Sequence, residues 1–127
     1  MTASPVTSLE QLPLAFADRF NARDVEGLLA LNADGAVFVP APGQPVEGVE
    51  NVRGALEQFL GLNLPITMTP RHAFVSGAVG LVIADWTLEG TAPDGSAVAL
   101  GGSTSDVAVH DETHGWRYAI DNPFGTA

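Results

Sequence analysis

The segment ALGGSTSDVAVHDETHGWRYAIDNPFG, residues 99–125, decides the fold, because apolar and polar residues alternate along it with a period of two. This alternation predicts two antiparallel strands joined by a turn at Asp111–Gly115. One residue departs from the pattern. Asp106 lies in the middle of an apolar strand, on the face that also carries Thr104 and Ala108, where a carboxylate needs a partner if it is buried.

The same alternation extends through the second half of the chain. We predict four strands there, over residues 66–76, 81–90, 97–110 and 116–122. Turns at Gly77-Ala78, at Pro93-Asp94-Gly95 and at Asp111–Gly115 would join them. A short strand is predicted at Ala36–Val39. The following segment, Pro40–Gly48, contains three prolines and two glycines, so we expect a loop without regular strand pairing.

The first half of the chain has helical spacing instead. Apolar residues three or four apart, after a capping-box pattern at Thr7–Gln11, predict a first helix over residues 8–21. Asp24 is the predicted N-cap of a short second helix, and Val49–Leu62 reads as a third helix that Gly61 ends. Helices followed by strands predict one α+β domain over residues 1–127, with three helices packed on one face of a curved antiparallel sheet.

Composition excludes several classes of function. The net charge is −10 and the five basic residues are scattered arginines, so nucleic acid and anionic membranes are not expected partners. Cysteine is absent, which excludes disulfides and thiolate metal sites. The N-terminal residues lack the pattern of a signal peptide and no apolar run reaches the ~20 residues that cross a bilayer, so we expect a cytoplasmic protein.

The histidines do not predict a metal site. His110 and His114 are four residues apart, but the turn between them prevents them from sharing a helix face as a metal-binding pair would. His72, after Pro70, is a candidate general base, although the sequence does not fix the face on which it lies. No phosphate-binding loop, nucleophile elbow or dinucleotide fingerprint is present, so no cofactor is predicted.

Three segments together resemble a known family. The run FNARDVEGLLALNADGAVFVPAPGQPVEGVENVRGALEQF at residues 20–59, the pair Leu64-Pro65, and TSDVAVHDETHGWRYAIDNPFG at residues 104–125 are similar to the ketosteroid-isomerase-like and polyketide-cyclase-like members of the nuclear transport factor 2-like superfamily. The resemblance covers residues 8–125. It implies a cystatin-like α+β roll: a conical, strongly bent sheet wrapped by three helices. It also implies a deep pocket at one end and a homodimer joined through the outer sheet face.

The resemblance carries over only part of the isomerase chemistry. The general base of those isomerases falls at Val39-Pro40-Ala41, which contains no acid, and their oxyanion-binding tyrosine falls at Phe16. Their second oxyanion group falls on Asp106. Ketosteroid isomerase itself illustrates how an apolar site keeps such a carboxylic acid protonated so that it can donate a hydrogen bond. The resemblance therefore implies a ligand-contacting role for Asp106 but argues against steroid isomerisation.

A predicted site follows from strand alternation and this resemblance. Polar or catalytic roles are predicted for Asp106, Asn122 and His72, and burial is expected to raise the pKa of Asp106. Ligand-lining roles are predicted for five aromatic residues: Phe16, Phe38, Trp86, Tyr118 and Phe124. Alternation also places Ile120 toward the interior. Two alternatives remain open: Asp106 could simply fix the sheet by accepting hydrogen bonds, and Asp121-Asn122-Pro123 could simply end the strand.

Two functions of different classes are compatible with the sequence. The first is a homodimer that binds a small, largely apolar molecule with a carbonyl or hydroxyl group; as an enzyme, it would be a cofactor-independent isomerase, cyclase or dehydratase. The alternative is a non-catalytic ligand-sensing or dimerisation module, whose pocket is a filled core.

Overall fold

The computed structural model of the protein describes residues 5–127. In this part of the chain the helices are α1 (Gln11–Asn21), α2 (Val25–Leu29) and α3 (Val49–Leu60). The strands are β1 (Asn32–Phe38), β2 (Val46–Glu47), β3 (Ile66–Ser76), β4 (Val79–Thr91), β5 (Ala97–Ser103), β6 (Asp106–Asp111) and β7 (Gly115–Asp121). The predicted α+β class is confirmed. Within the described residues, none of the helices is long and apolar enough to cross a membrane.

The strands form one curled sheet in the order β2-β1-β7-β6-β4-β3, with β5 also paired to β4. All neighbours are antiparallel except β1 and β7, which run parallel. The long strand β4 pairs with β6 through Val79–Val82 and with β5 through Asp85–Thr91. Because β4 changes partner along its length, the sheet bends there into a half-barrel that surrounds an interior.

The helices close the interior by burying one face each. From α1, Leu12, Ala17 and Phe20 enter the core. Asn21 ties the end of α1 to the start of β3: its Nδ2 donates to the Ile66 carbonyl at 2.9 Å, and its Oδ1 accepts from the Ile66 N–H at 2.8 Å. These two hydrogen bonds fix the C-terminal end of α1 against the first residue of β3.

The predicted helix ends are partly confirmed. Asp24 caps α2, accepting a hydrogen bond from the Gly27 N–H at 2.9 Å, and Gly61 is the C-cap of α3. The predicted capping box at Thr7–Gln11 is wrong, because α1 begins at Gln11 and its N-cap, Glu10, makes no side-chain capping bond. A turn at residues 8–10 replaces the first predicted helical turn.

Two predicted strand features are also corrected. The strand expected over residues 97–110 is divided, because the Thr104 N–H bonds to the Ala84 carbonyl on β4, whereas the Ser105 N–H bonds to the Asn122 carbonyl. The chain thus changes neighbours between these two residues. The segment Pro40–Gly48 does pair in part, since Val46–Glu47 forms β2 against β1 after the last proline of the loop.

A β-bulge in β7 decides which side chains face inward. Tyr118 pairs with Ala108, but Ile120 pairs with Val107, so Ala119 is an extra residue between them. The face of each later residue is therefore reversed relative to strict alternation. Ile120 is 40% exposed and Asp121 is 7% exposed. The prediction that Ile120 faces the interior is wrong for this reason.

Gly115, at the start of β7, gives a test of how the N-terminal segment docks. Its φ is +71°, and a Cβ there would lie 2.3 Å from the Val6 carbonyl oxygen, which accepts the Trp116 N–H at 2.9 Å. Gly95 has a similar φ of +88° with nothing near its Cβ position. We expect Gly115→Ala to lower the free energy of unfolding by about 2 kcal/mol more than Gly95→Ala in urea titrations, because only the former adds a clash to the backbone strain. Equal losses would show that Val6 does not dock on Gly115.

Candidate functional site: a carboxyl pair beside an aromatic cavity

The interior contains a partly open cavity of about 40 Å³ between α1, α3 and the concave face of the sheet. Six aromatic side chains line it: Phe16, Phe20, Phe38, Phe59, Trp86 and Tyr118. Leu56, Ile66, Met68, Leu88 and Pro123 complete the apolar wall. Thr104 and Asp121 are the other polar residues of the lining.

The rings of the wall pack closely against one another. Phe16 stacks on Phe20 at 6.0 Å between centroids and meets Tyr118 edge-to-face at 6.3 Å, and Phe38 meets Phe59 edge-to-face at 6.3 Å. This packing explains the small volume, since an engineered cavity that admits benzene has about 150 Å³. A guest larger than a few heavy atoms must displace a half-buried side chain such as Phe59 or Met68.

Asp121 supplies the charged group of the cavity wall. The bulge at Ala119 turns it inward beside Phe38, its partner on β1. Burial raises the pKa of the Asp121 carboxyl to about 7, and the neighbouring Asp106 carboxyl opposes that shift. No lysine, arginine or histidine lines the cavity in the described part of the chain. Asp121 is therefore a desolvated carboxyl without a cationic partner in its cavity.

Asp106 lies behind Asp121 and has no exposed surface. Its Oδ1 accepts the Asn122 N–H at 2.8 Å, whereas no donor of the described residues reaches Oδ2 with hydrogen-bond geometry. Burial and then the charge of Asp121 raise the pKa of Asp106 well above its ordinary value; the Asn122 N–H and the nearby Thr104 hydroxyl act in the opposite direction. Two desolvated carboxyls in contact cannot both ionise readily, so near neutral pH they share one proton.

The remaining polar groups of the wall belong to Thr104 and Tyr118. Thr104 Oγ1 accepts the Ala84 N–H at 3.0 Å and so holds the junction between β5 and β6. Burial raises the pKa of Tyr118 well above its ordinary value, with a further contribution from the charges of Asp106 and Asp121. The phenol therefore lies close enough to both carboxyls to form one group of three ionisable side chains with them.

The structure brings together most of the predicted ligand-lining residues. Phe16, Phe38, Trp86 and Tyr118 all line the cavity. Phe124 packs edge-to-face on Trp86, at 6.0 Å between ring centroids, and supports the wall from behind. Their predicted contact with a ligand remains a prediction.

The predicted polar residues have different positions. Asp106 is buried behind the cavity wall and does not line it. Asn122 bonds through Nδ2 to Ser105 Oγ at 3.0 Å and to the Gly125 carbonyl at 2.9 Å, so its side chain fixes the turn after β7. This geometry matches the alternative interpretation of Asn122 as part of a strand ending.

His72 is not brought to the cavity. A bulge between Pro70 and His72 shifts the register of β3, and His72 lies exposed, stacked on Phe74 at 5.6 Å between ring centroids. Phe74 is 58% exposed. The position does not fit the predicted role of His72 as a base in the pocket, because its face is that of the outer sheet surface.

Sequence reasoning missed Asp121 because it assumed unbroken alternation along β7. Counting from Tyr118 by twos assigns residue 121 to the outer face, and the single extra residue at Ala119 reverses that assignment. The available signal was a second carboxylate, Asp121, at the open end of the hairpin, across from Asp106. The Asp121-Asn122-Pro123 run is also typical of a strand ending, which masks this signal.

The fold and the site define a class: a small conical α+β domain with a carboxyl pair beside an aromatic cavity. The model of the SnoaL-like domain family matches residues 14–117, and the chain belongs to that family. No curated protein is a significant sequence match.

Solved structures with the same fold come from several bacteria. A nuclear transport factor 2-like superfamily protein of Salmonella enterica has a TM-score of 0.77 at 17% identity, covering 94% of this chain and 89% of that one. A ketosteroid isomerase-like protein of Erwinia carotovora has a TM-score of 0.70 at 16% identity, covering 89% of each chain. A conserved protein of Planctomyces limnophilus has a TM-score of 0.76 at 18% identity, again covering 89% of each chain. At these identities the likeness shows the shared fold.

The raised pKa of Asp121 predicts how stability depends on pH. The folded state retains a proton that the unfolded chain, with a carboxyl pKa of 3.8, releases, so stability falls as pH rises from about 4 to about 7. We expect a loss on the order of 3–4 kcal/mol across this range, measured by urea denaturation at each pH. Asp121→Asn should remove this part of the pH dependence and leave the part that comes from Asp106, whose pKa burial also raises, whereas Asp34→Asn on the exposed surface should leave the profile unchanged. A wild-type profile that rises over the same range would contradict the burial of Asp121.

Proposed function

We propose that the cavity binds a small, largely apolar molecule whose single polar group meets Asp121. The observation that carries this proposal is a 7% exposed carboxyl that faces an otherwise aromatic cavity and has no cationic partner there. Buried polar groups in folded proteins normally have partners, and perturbed carboxyls are concentrated at functional sites. A ligand group at this position would complete the hydrogen bonding of Asp121.

The size of the cavity limits the ligand. A volume of about 40 Å³ accommodates only a few heavy atoms without rearrangement. Phe59 and Met68 are half-buried, so displacing either side chain disturbs less packing than displacing a fully buried wall residue such as Phe38. A short apolar molecule, or the end of a longer one that enters at the open side, therefore fits better than a rigid polycyclic ligand.

A second candidate function is proton transfer without a cofactor, as in an isomerase or lyase. The pKa of Asp121 near 7 favours it, because both the acid and the base form are then populated near neutral pH. Asp106 would act as a positioning residue that holds the shared proton. Steroid isomerisation is not proposed, because Val39-Pro40-Ala41 contains no base and Phe16 cannot donate a hydrogen bond.

A fragment screen by thermal denaturation tests the binding function. We expect a subset of small apolar fragments to raise the melting temperature, since a ligand that binds only the folded state stabilises it. Phe59→Trp, which fills the cavity, should abolish these shifts. Phe74→Trp, the same change on the outer sheet face, should preserve them. An absence of hits, or shifts that are unaffected by Phe59→Trp, would refute the proposed cavity function and favour the filled-core alternative.

We also propose that a second copy of the chain covers the outer sheet face. Phe74, Leu81, Val107 and Ile120 are successive cross-strand partners and form one row across it. Phe74, Leu81 and Ile120 are 58%, 40% and 40% exposed. In a chain of net charge −10, residues 58–84, which include Phe74 and Leu81, contain no acidic residue. The next carboxylate on this face of β4, Asp85, pairs with Arg71 at 3.5 Å, so the face can meet its own copy without strong repulsion.

The mass of the particle in solution tests this pairing. We expect a dimer by light scattering, and Leu81→Glu should yield monomers because it places a charge in the centre of the apolar row. Thr87→Glu, on the same face of β4 but outside the row, should leave the dimer intact. A monomeric wild-type protein, or a dimer that survives Leu81→Glu, would contradict the proposed interface.

A further inference from the structure

The electrostatic character of the cavity restricts the chemistry of its ligand. Asp121 brings a carboxylate to the wall, and the described lining contains no lysine, arginine or histidine. Thr104 Oγ1 accepts the Ala84 N–H, and its own hydroxyl proton acts on Asp106, whose pKa it lowers. The Trp86 Nε1–H donates to the Pro123 carbonyl at 2.7 Å, which leaves the Tyr118 hydroxyl as the side-chain donor that a guest could meet. The cavity therefore presents a carboxylate and the faces of aromatic rings, and it has few hydrogen-bond donors.

We propose that the ligand of this cavity is a small alkyl amine, bound as its ammonium ion, with Asp121 as counter-ion and the aromatic rings as its surroundings. This inference rests on the proposed binding function and specifies the polar group of the ligand. It replaces the carbonyl or hydroxyl group that the sequence analysis predicted.

A carbonyl ligand fits this wall less well. Its oxygen would face the carboxylate oxygens of Asp121 and could gain a hydrogen bond only from Tyr118 or from the proton that the two carboxyls share. An ammonium group, in contrast, donates hydrogen bonds, and it can donate them to the buried carboxylate of Asp121. The ion pair then offsets the cost of removing the guest cation from water, which an uncharged cavity could not do.

The aromatic wall favours the same ligand. Cations are attracted to the faces of aromatic rings, most strongly to tryptophan and tyrosine. Trp86, Tyr118 and the stacked pair Phe16 and Phe20 all line the cavity together with Asp121. A carboxylate among several rings is the kind of surface that recognises amines. The net charge of −10 also concentrates cations near the protein.

The cavity volume of about 40 Å³ selects a short guest. n-Propylamine is a suitable probe, because its ammonium head and three carbons are comparable in size to n-propanol and propionate, which differ mainly in the polar group. The three probes therefore compare a cation, a neutral donor and acceptor, and an anion at nearly constant shape.

Binding of the amine should depend on pH in one direction. Alkyl amines have a pKa of about 10 and stay protonated between pH 5.5 and 8.5, so the protein supplies the titrating group. The ionisable groups that face Asp121 are Asp106 on β6 and Tyr118 on β7; the other charged residues of the described elements lie outside the cavity lining. Since the pKa of Asp121 is about 7 and only its ionised form pairs with an ammonium ion, affinity should rise with pH.

Calorimetric titration of the folded protein with the three probes tests the proposal. At pH 8.5 we expect n-propylamine to bind at least about tenfold more tightly than n-propanol, with propionate weakest, and its affinity to fall at least about tenfold at pH 5.5. In Asp121→Asn the amine and the alcohol should bind equally. Phe59→Trp should remove binding of both and provides a second check if Asp121→Asn does not fold.

Each other outcome decides against the proposal. Equal binding of alcohol and amine by the wild-type protein would overturn the amine inference and leave the proposed binding function standing. Amine binding that persists in both Asp121→Asn and Phe59→Trp would identify a nonspecific attraction to the acidic surface. If no probe binds and the fragment screen also yields nothing, the proposed function itself fails, and this inference fails with it.

Discussion

The structure depends on one buried contact, the pair of carboxyls formed by Asp106 and Asp121 at the end of the β6–β7 hairpin. Asp106 is held by the Asn122 N–H, and Asp121 reaches it only because β7 carries an extra residue at Ala119. Two carboxyls in an apolar interior are stable together when one of them keeps its proton. The protonation of the site therefore depends on the geometry of the sheet, because the bulge in β7 brings the two carboxyls together.

The carboxyl pair lowers stability, and it is the group on which the proposed binding function rests. A hydrophobic residue at position 121 would remove the cost of desolvating a carboxyl, so the pair is poorly explained by stability alone. The aromatic wall around it is packed closely enough to leave a cavity of about 40 Å³, and Asp121 in this wall is 7% exposed. Asp121 is thus both largely buried and part of the cavity lining.

The two faces of the sheet differ in character, and the residues of β3 and β4 show how they are separated. Trp86 and Leu88 point toward the cavity, whereas Phe74 and Leu81 form an exposed apolar row on the opposite face. His72 lies on the same outer face, next to this row, and stacks on Phe74. The surroundings of His72 are therefore those of the outer sheet surface and not those of the cavity.

The sequence alone determined the α+β class and the three helices, through the helical spacing before residue 64, the period-two pattern after it and the turn residues between strands. It also determined the aromatic lining at Phe16, Phe38, Trp86 and Tyr118. These features follow from local patterns of burial, which a sequence records directly. The inward position of Asp121, the outward position of His72 and the split at Thr104–Ser105 were decided by the tertiary structure. Each depends on a register shift or a change of strand partner, and both arise from long-range pairing and sheet curvature that no local residue pattern encodes.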